Sequence, residues 1–228
     1  MKRRLARYQA VLVPLLIGCG YWLCQEYTSL SGSDGTVAYY IENMEVLQRR
    51  QLEILPETAI PFYGDSLVQG LAVHLIGPGV ENFGIGHDNA KNLLRRVGMD
   101  LKYRRFSEYV MAIGINDISR GVDVRDIYNN ISKTVHLLSF ADTVYLNTVL
   151  PVADSRPGSE TTNRKVRQVN AMLAELAVNV PNVRLIDSYR RLSSGGALPQ
   201  SFHIGDGLHL NAAANRQWAA LLKNAMTH

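Results

Sequence analysis

Four short segments hold residue types able to do chemistry. Gly64-Asp65-Ser66-Leu67 puts a serine just past a glycine turn. A serine hydroxyl is a weak nucleophile until a base takes its proton. Asp206-Gly207-Leu208-His209 offers such a base, because imidazole accepts and donates protons near neutrality. An aspartate three residues earlier can reach the other ring nitrogen and orient it. By itself the pair is equally a loop hydrogen bond or two metal ligands. Gly114-Ile115-Asn116-Asp117 supplies a side-chain amide that could donate to a developing oxyanion. Asn82-Phe83-Gly84-Ile85-Gly86 supplies a Gly84 backbone N–H with no side chain in the way. Singly, each segment reads as a cap or a turn. Ser66 is not in a Gly-x-Ser-x-Gly elbow, since Val68 stands where that motif has glycine. Together the four supply nucleophile, base, orienting carboxylate and oxyanion donors, the parts acyl transfer requires.

These residues need a frame that brings them to one place. Short apolar runs at Ala59–Tyr63, Val80–Phe83, Tyr109–Ile113, Thr143–Leu150 and Val183–Ile186 read as strands. Helical spacing recurs at Val124, Ile127, Ile131, Val135 and Leu138, and again at Val166, Val169, Leu173 and Leu176. Ala212–Met226 is rich in helix formers and follows Asn211, a good N-cap. The alternation predicts an α/β fold with a mostly parallel sheet. Such sheets bind ligands at the carboxyl ends of their strands. Each chemical segment falls just after an expected strand or just before an expected helix. Residues 36–54 read as a helix packed on the body, with a juxtamembrane helix as the alternative. Asp154–Asn163 reads as a polar surface loop.

The chain has 228 residues, 46% of them hydrophobic and 19% charged, a globular composition. Three of its four net positive charges fall within the first 30 residues. The remainder is near neutral, which gives no nucleic-acid footprint. Basic residues Lys2, Arg3, Arg4 and Arg7 precede an uncharged run, Tyr8–Cys24. That pattern predicts an export signal or a membrane anchor, with the body outside the cytoplasm. Leu16-Ile17-Gly18-Cys19 resembles a lipobox, which would put a lipid on Cys19. Retained anchor, lipoprotein and cleaved signal all remain open. The expected organisation is signal or anchor over 1–30, linker and amphipathic helix over 31–58, and a catalytic body over 59–228. No phosphate loop, dinucleotide fingerprint or Cys/His metal spacing is present, so neither a cofactor nor a metal is expected. His203 lies near Asp206 and reads as a hydrogen-bonded loop histidine that could line the site.

Gly64-Asp65-Ser66-Leu67, Gly84, Asn116 and Asp206-x-x-His209 resemble, in order, the four signature blocks of the SGNH (GDSL) hydrolase superfamily. The resemblance implies a three-layer α/β/α flavodoxin-like fold and a serine esterase without a cofactor. It implies Ser66 as nucleophile, His209 as base and Asp206 as its partner. It also implies an oxyanion hole from the Ser66 N–H, the Gly84 N–H and the Asn116 amide. Related sequences often read Asn-x-Gly-x-x-Gly-Asp-Thr in the second block. Here His87 replaces a common glycine and Asn89 a threonine. The expected substrate is a small-molecule, lipid or glycan ester of the cell envelope. An envelope O-acyltransferase with the same triad and a non-catalytic binding protein are the alternatives.

Overall fold

The computed structural model describes residues 33–227, and of Ser33 and Asp34 the backbone alone. The apolar run Tyr8–Cys24, with Cys19 and the anchor, lipid and cleavage readings, lies outside them. Among the described residues no helix is long and apolar enough to cross a membrane. The chain divides into a unit ending at Asn43 and a body, Met44–His228. The division falls within helix α1, Ser33–Ile54.

Five strands form one all-parallel sheet: β1 Ile60–Gly64, β2 Val80–Gly84, β3 Glu108–Ala112, β4 Thr143–Asn147 and β5 Val183–Ile186. Their order is β2-β1-β3-β4-β5. The first crossover runs one way from β1 and the later ones run the other way. The carboxyl ends of β1 and β3 therefore flank the point where strand order reverses, where such sheets place their ligands. Central strands are covered on both faces, so Phe62, Val110, Met111, Val144 and Leu146 are all buried.

Helices flank the sheet: α2 Ser66–Gln69, α3 Ala90–Asp100, α4 Ile115–Ser119, α5 Val124–Leu137, α6 Ser159–Asn179, α7 Ser188–Leu192 and α8 Ala212–Met226. Helix α3 packs on α5, and α5 on α6, while α7 packs on α8. A polar node fixes α8. The buried Trp218 indole donates to Ser188 Oγ at 3.0 Å, and Ser188 donates to Asn147 Oδ1 at 2.7 Å. The Trp218 ring also meets Phe62 edge-on at 5.9 Å.

Two elements depart from the sequence reading. Helix α3 was not foreseen, since its buried face sets Arg96 and Asp100 beside Ala90, Leu93 and Val97. The expected loop Asp154–Asn163 is loop only to Gly158, and α6 begins at Ser159. The polar first turn hides that helix. Its Asn163 is buried and uses both amide atoms on the backbone of Val152, at 2.9 Å each.

Candidate active site

Strand β1 ends at Gly64, where no side chain fits. A Cβ there would lie 2.3 Å from Val68 Cγ2 and 2.5 Å from the Ala112 carbonyl. The chain then turns at Asp65, whose Oδ1 accepts from Leu67 N at 2.9 Å and caps α2. Ser66 opens that helix. Its Oγ lies 2.9 Å from His209 Nε2, and His209 Nδ1 lies 2.5 Å from Asp206 Oδ2. Asp206 also accepts the backbone N–H groups of Leu208 and His209, at 3.0 and 2.9 Å. Burial works to raise the Asp206 carboxyl, but hydrogen bonds from the His209 ring and from these two amides hold it down at about 2. An ionised Asp206 keeps the proton on Nδ1 and leaves Nε2 free to accept from Ser66. The side chains of His209 and Asp206 are 39% and 38% exposed, so water reaches the imidazole.

The loop carrying Asp206 and His209 is organised by His203. This ring is buried, and its Nδ1 accepts the backbone N–H of Gly205 at 3.0 Å and of Gly207 at 3.1 Å. Nδ1 is therefore unprotonated, and Nε2 donates to Gln200 Oε1 at 3.1 Å. Gly205 and Gly207 take φ of 113° and 74°, left-handed values that suit glycine. The far side of the loop is tied to the segment after β4. Ala153 N donates to Gly207 O at 2.9 Å, and Arg156 Nη1 donates to Asp206 O at 3.0 Å. The sequence named His203 as a loop histidine but gave no sign that it shapes the loop.

At Gly84 the structure differs from the sequence reading. The Gly84 N–H donates to Asn82 Oδ1 at 2.9 Å and is not directed to the serine. Asn82 in turn donates to the carbonyls of Val68 and Leu71, at 2.8 and 3.0 Å, tying β2 to the serine helix. A Cβ on Gly84 would lie 2.2 Å from Gln69 N. Gly84 is thus required by close packing against α2, and its assignment as an oxyanion donor is corrected. Its missing side chain signals that close approach and not an open N–H.

The following loop has a free donor elsewhere. Ile85 N donates to Gly64 O, Gly86 N to Gln69 Oε1, and Asp88 N to Ile85 O. Asn89 N donates to Asp88 Oδ1, and Ala90 N to the Asp117 carboxylate. Among the described residues from Gly84 to Ala90, only the His87 N–H lacks a protein partner. His87 has φ of 64°, the sole non-glycine in the left-handed region among the described residues. Arg120 Nη2 donates to its carbonyl at 3.0 Å. The next carbonyl, Asp88 O, accepts from Asn116 Nδ2 at 2.9 Å. That bond uses one amide hydrogen of Asn116 and leaves its second to point elsewhere.

A buried ionic cluster holds this loop from below. Arg96 Nη2 lies 2.7 Å from Asp88 Oδ2, and both side chains are at most 2% exposed. Arg96 Nη1 donates to Phe83 O at 2.9 Å and to Gln48 Oε1 at 3.0 Å. Its guanidinium stands over the Tyr63 ring, 5.0 Å from the centroid. Gln48 also donates to Gly84 O at 3.2 Å. Burial raises the Asp88 carboxyl, and Arg96 opposes it. A buried arginine on an otherwise amphipathic helix was not a readable signal in the sequence.

Residues 59–217 match the model of the GDSL-like lipase/acylhydrolase family. The chain belongs to that family. Among solved structures, a protein from Streptococcus pneumonia superposes with a TM-score of 0.77 at 23% identity, over 87% of this chain and 98% of that one. A GDSL-like lipase from Bacteroides thetaiotaomicron gives 0.68 at 20% identity, over 84% and 97%. A catalytic mutant of Axe2, an acetylxylan esterase from Geobacillus stearothermophilus, gives 0.63 at 17% identity, over 74% and 94%. At these identities the likeness shows the shared fold of SGNH hydrolases. A comparison with curated proteins found no match. Among the described residues of this GDSL family member, no three His, Cys, Asp or Glu side chains are grouped as a metal site requires.

Proposed function

We propose that this chain is a serine esterase that cleaves carboxylic esters through an acyl-enzyme. The observation that carries the reading is the continuous hydrogen-bonded row Asp206–His209–Ser66. Ser66 Oγ attacks the ester carbonyl as His209 Nε2 takes its proton. Asp206 stabilises the imidazolium without accepting that proton. The tetrahedral oxygen is held by the Ser66 N–H, the His87 N–H and the second hydrogen of the Asn116 amide. His209 then returns its proton to the leaving alcohol, and water attacks the acyl-enzyme by the same route. The half-open base supports water as the acceptor. The acetylxylan esterase neighbour supports a small acyl group on a carbohydrate alcohol. The basic, apolar N-terminus supports an extracytoplasmic place for the body, tested by fractionating cells that express the full chain.

The test is turnover of p-nitrophenyl esters from acetate to palmitate by the full chain in detergent, beside its Ser66→Ala variant. Acetate is expected to turn over fastest, and the variant should lose about 10⁴-fold or more in kcat. Equal rates in the two proteins would overturn the reading.

A further inference from the structure

A recess adjoins the oxyanion loop at Asn89. It is a groove of about 440 Å³ between the start of α3, the end of α4 and one face of α5. That volume lies within the range of about 300–1,000 Å³ typical of ligand sites. Its lining differs from an acyl pocket, since Val122 is the one apolar side chain in it. Asn89, Asn129 and Asn130 bring three amides; Asn89 Oδ1 accepts from Asn92 N at 2.9 Å, so Asn89 offers its NH2 group, while Asn129 and Asn130 can donate and accept at neighbouring hydroxyls. Lys91, Arg120 and Lys133 bring three cations. Two carboxylates stand against them. Asp117 is buried and accepts Ala90 N at 3.0 Å, so it is spent on the fold, and Asp126 alone is exposed. The groove is therefore hydroxyl-matching and net positive.

Its position ties it to the reaction. Asn89 follows Asp88, whose carbonyl holds the Asn116 amide, and Asp117 follows Asn116. Arg120 lines the groove and donates to the carbonyl of His87, the residue with the free N–H. A ligand in the groove thus shares a wall with the oxyanion loop.

We propose that this groove binds the alcohol part of the substrate, and that this part is a saccharide bearing carboxylates. The inference rests on the esterase reading for its place in catalysis, but binding can be measured without turnover. The probe is trigalacturonate, which carries no ester, titrated calorimetrically into the full chain in detergent. The variant is Lys91→Ala/Lys133→Ala, whose two side chains are exposed. Removing two cations should weaken binding about tenfold, and raised salt should weaken wild-type binding. Neutral xylotriose should bind more weakly than the acid. Equal affinity of wild type and variant, equal affinity for the two sugars, or no binding would overturn the groove assignment. Turnover of p-nitrophenyl acetate reports separately. Turnover without trigalacturonate binding removes the groove and leaves the esterase. Binding without turnover removes the esterase and leaves a saccharide site.

Discussion

In the proposed mechanism His87 and Asn116 offer different kinds of donor to the same oxygen, and single substitutions separate them. The His87 donor belongs to the backbone, so replacing the side chain should leave it in place. His87→Gly also suits the φ of 64°, where a non-glycine residue costs roughly 1–2 kcal/mol. Turnover of p-nitrophenyl acetate by this variant should stay near wild type. The Asn116 donor belongs to the side chain, and Asn116→Ala should lower kcat by roughly 10²–10³. Steady-state kinetics on the two variants decides the matter. A loss in His87→Gly as large as that in Asn116→Ala would mean that the imidazole, not the N–H, serves the site. His203 acts at one remove: its ring hydrogen-bonds Gln200 Oε1 and the N–H groups of Gly205 and Gly207, and so shapes the turn on either side of Asp206.

Between elements, the decisive contact is that of β2 with the serine helix. Gly84 has backbone on the side where a Cβ would go, with Gln69 N, Gln69 Cα and Val68 C all within 2.7 Å. A flexible side chain could yield, but a helix backbone cannot without moving Ser66. Gly84→Ala keeps its N–H, so a donor role alone would leave its stability unchanged. Packing predicts instead a loss of about 3 kcal/mol or more, above the usual overpacking range. Thermal unfolding of the variant measures it, and an unchanged Tm would remove the packing argument. Helix α3 illustrates why some elements escaped the sequence reading. Its pattern is broken by Arg96, whose two terminal nitrogens are bound by Asp88 and Phe83 O from the preceding segment and by Gln48 from helix α1. Periodicity registers apolar faces and has no way to register a partner 48 residues away.

Over the whole molecule, buried carboxyls set an unusual pH response. Burial pushes Asp65 up to about 7, opposed by its bond from Leu67 N, and burial likewise brings Asp100 and Asp117 to about 6. Each binds its proton more tightly folded than unfolded. Their stabilising contribution is therefore full below pH about 4 and is lost as pH rises through 6 to 7. Asp206 acts in reverse: its contribution is present above pH about 4 and lost as pH falls through about 2. The body should accordingly be more stable at pH 5 than at pH 8. Asp65→Asn keeps an acceptor for Leu67 N and removes the titration, so it should flatten that difference. Between pH 5 and pH 8 the Asp65 contribution is at most roughly 3 kcal/mol. Denaturant midpoints at both pH values check this, and a wild type more stable at pH 8 would contradict it.

The sequence by itself determined the α/β alternation, five strand positions to within a few residues, and the segments holding Ser66, Asp206, His209 and Asn116. These are local signals: apolar runs, caps and short spacings follow from residues close in the chain. The tertiary structure alone decided the strand order, which brings Ser66 Oγ to His209 across 143 residues. It also decided which N–H groups are free. Gly84 ends β2 and His87 lies three residues further on, and both carry a backbone donor. Only the fold commits the first to Asn82 and leaves the second open, because a hydrogen bond is spent according to what lies within about 3 Å in space.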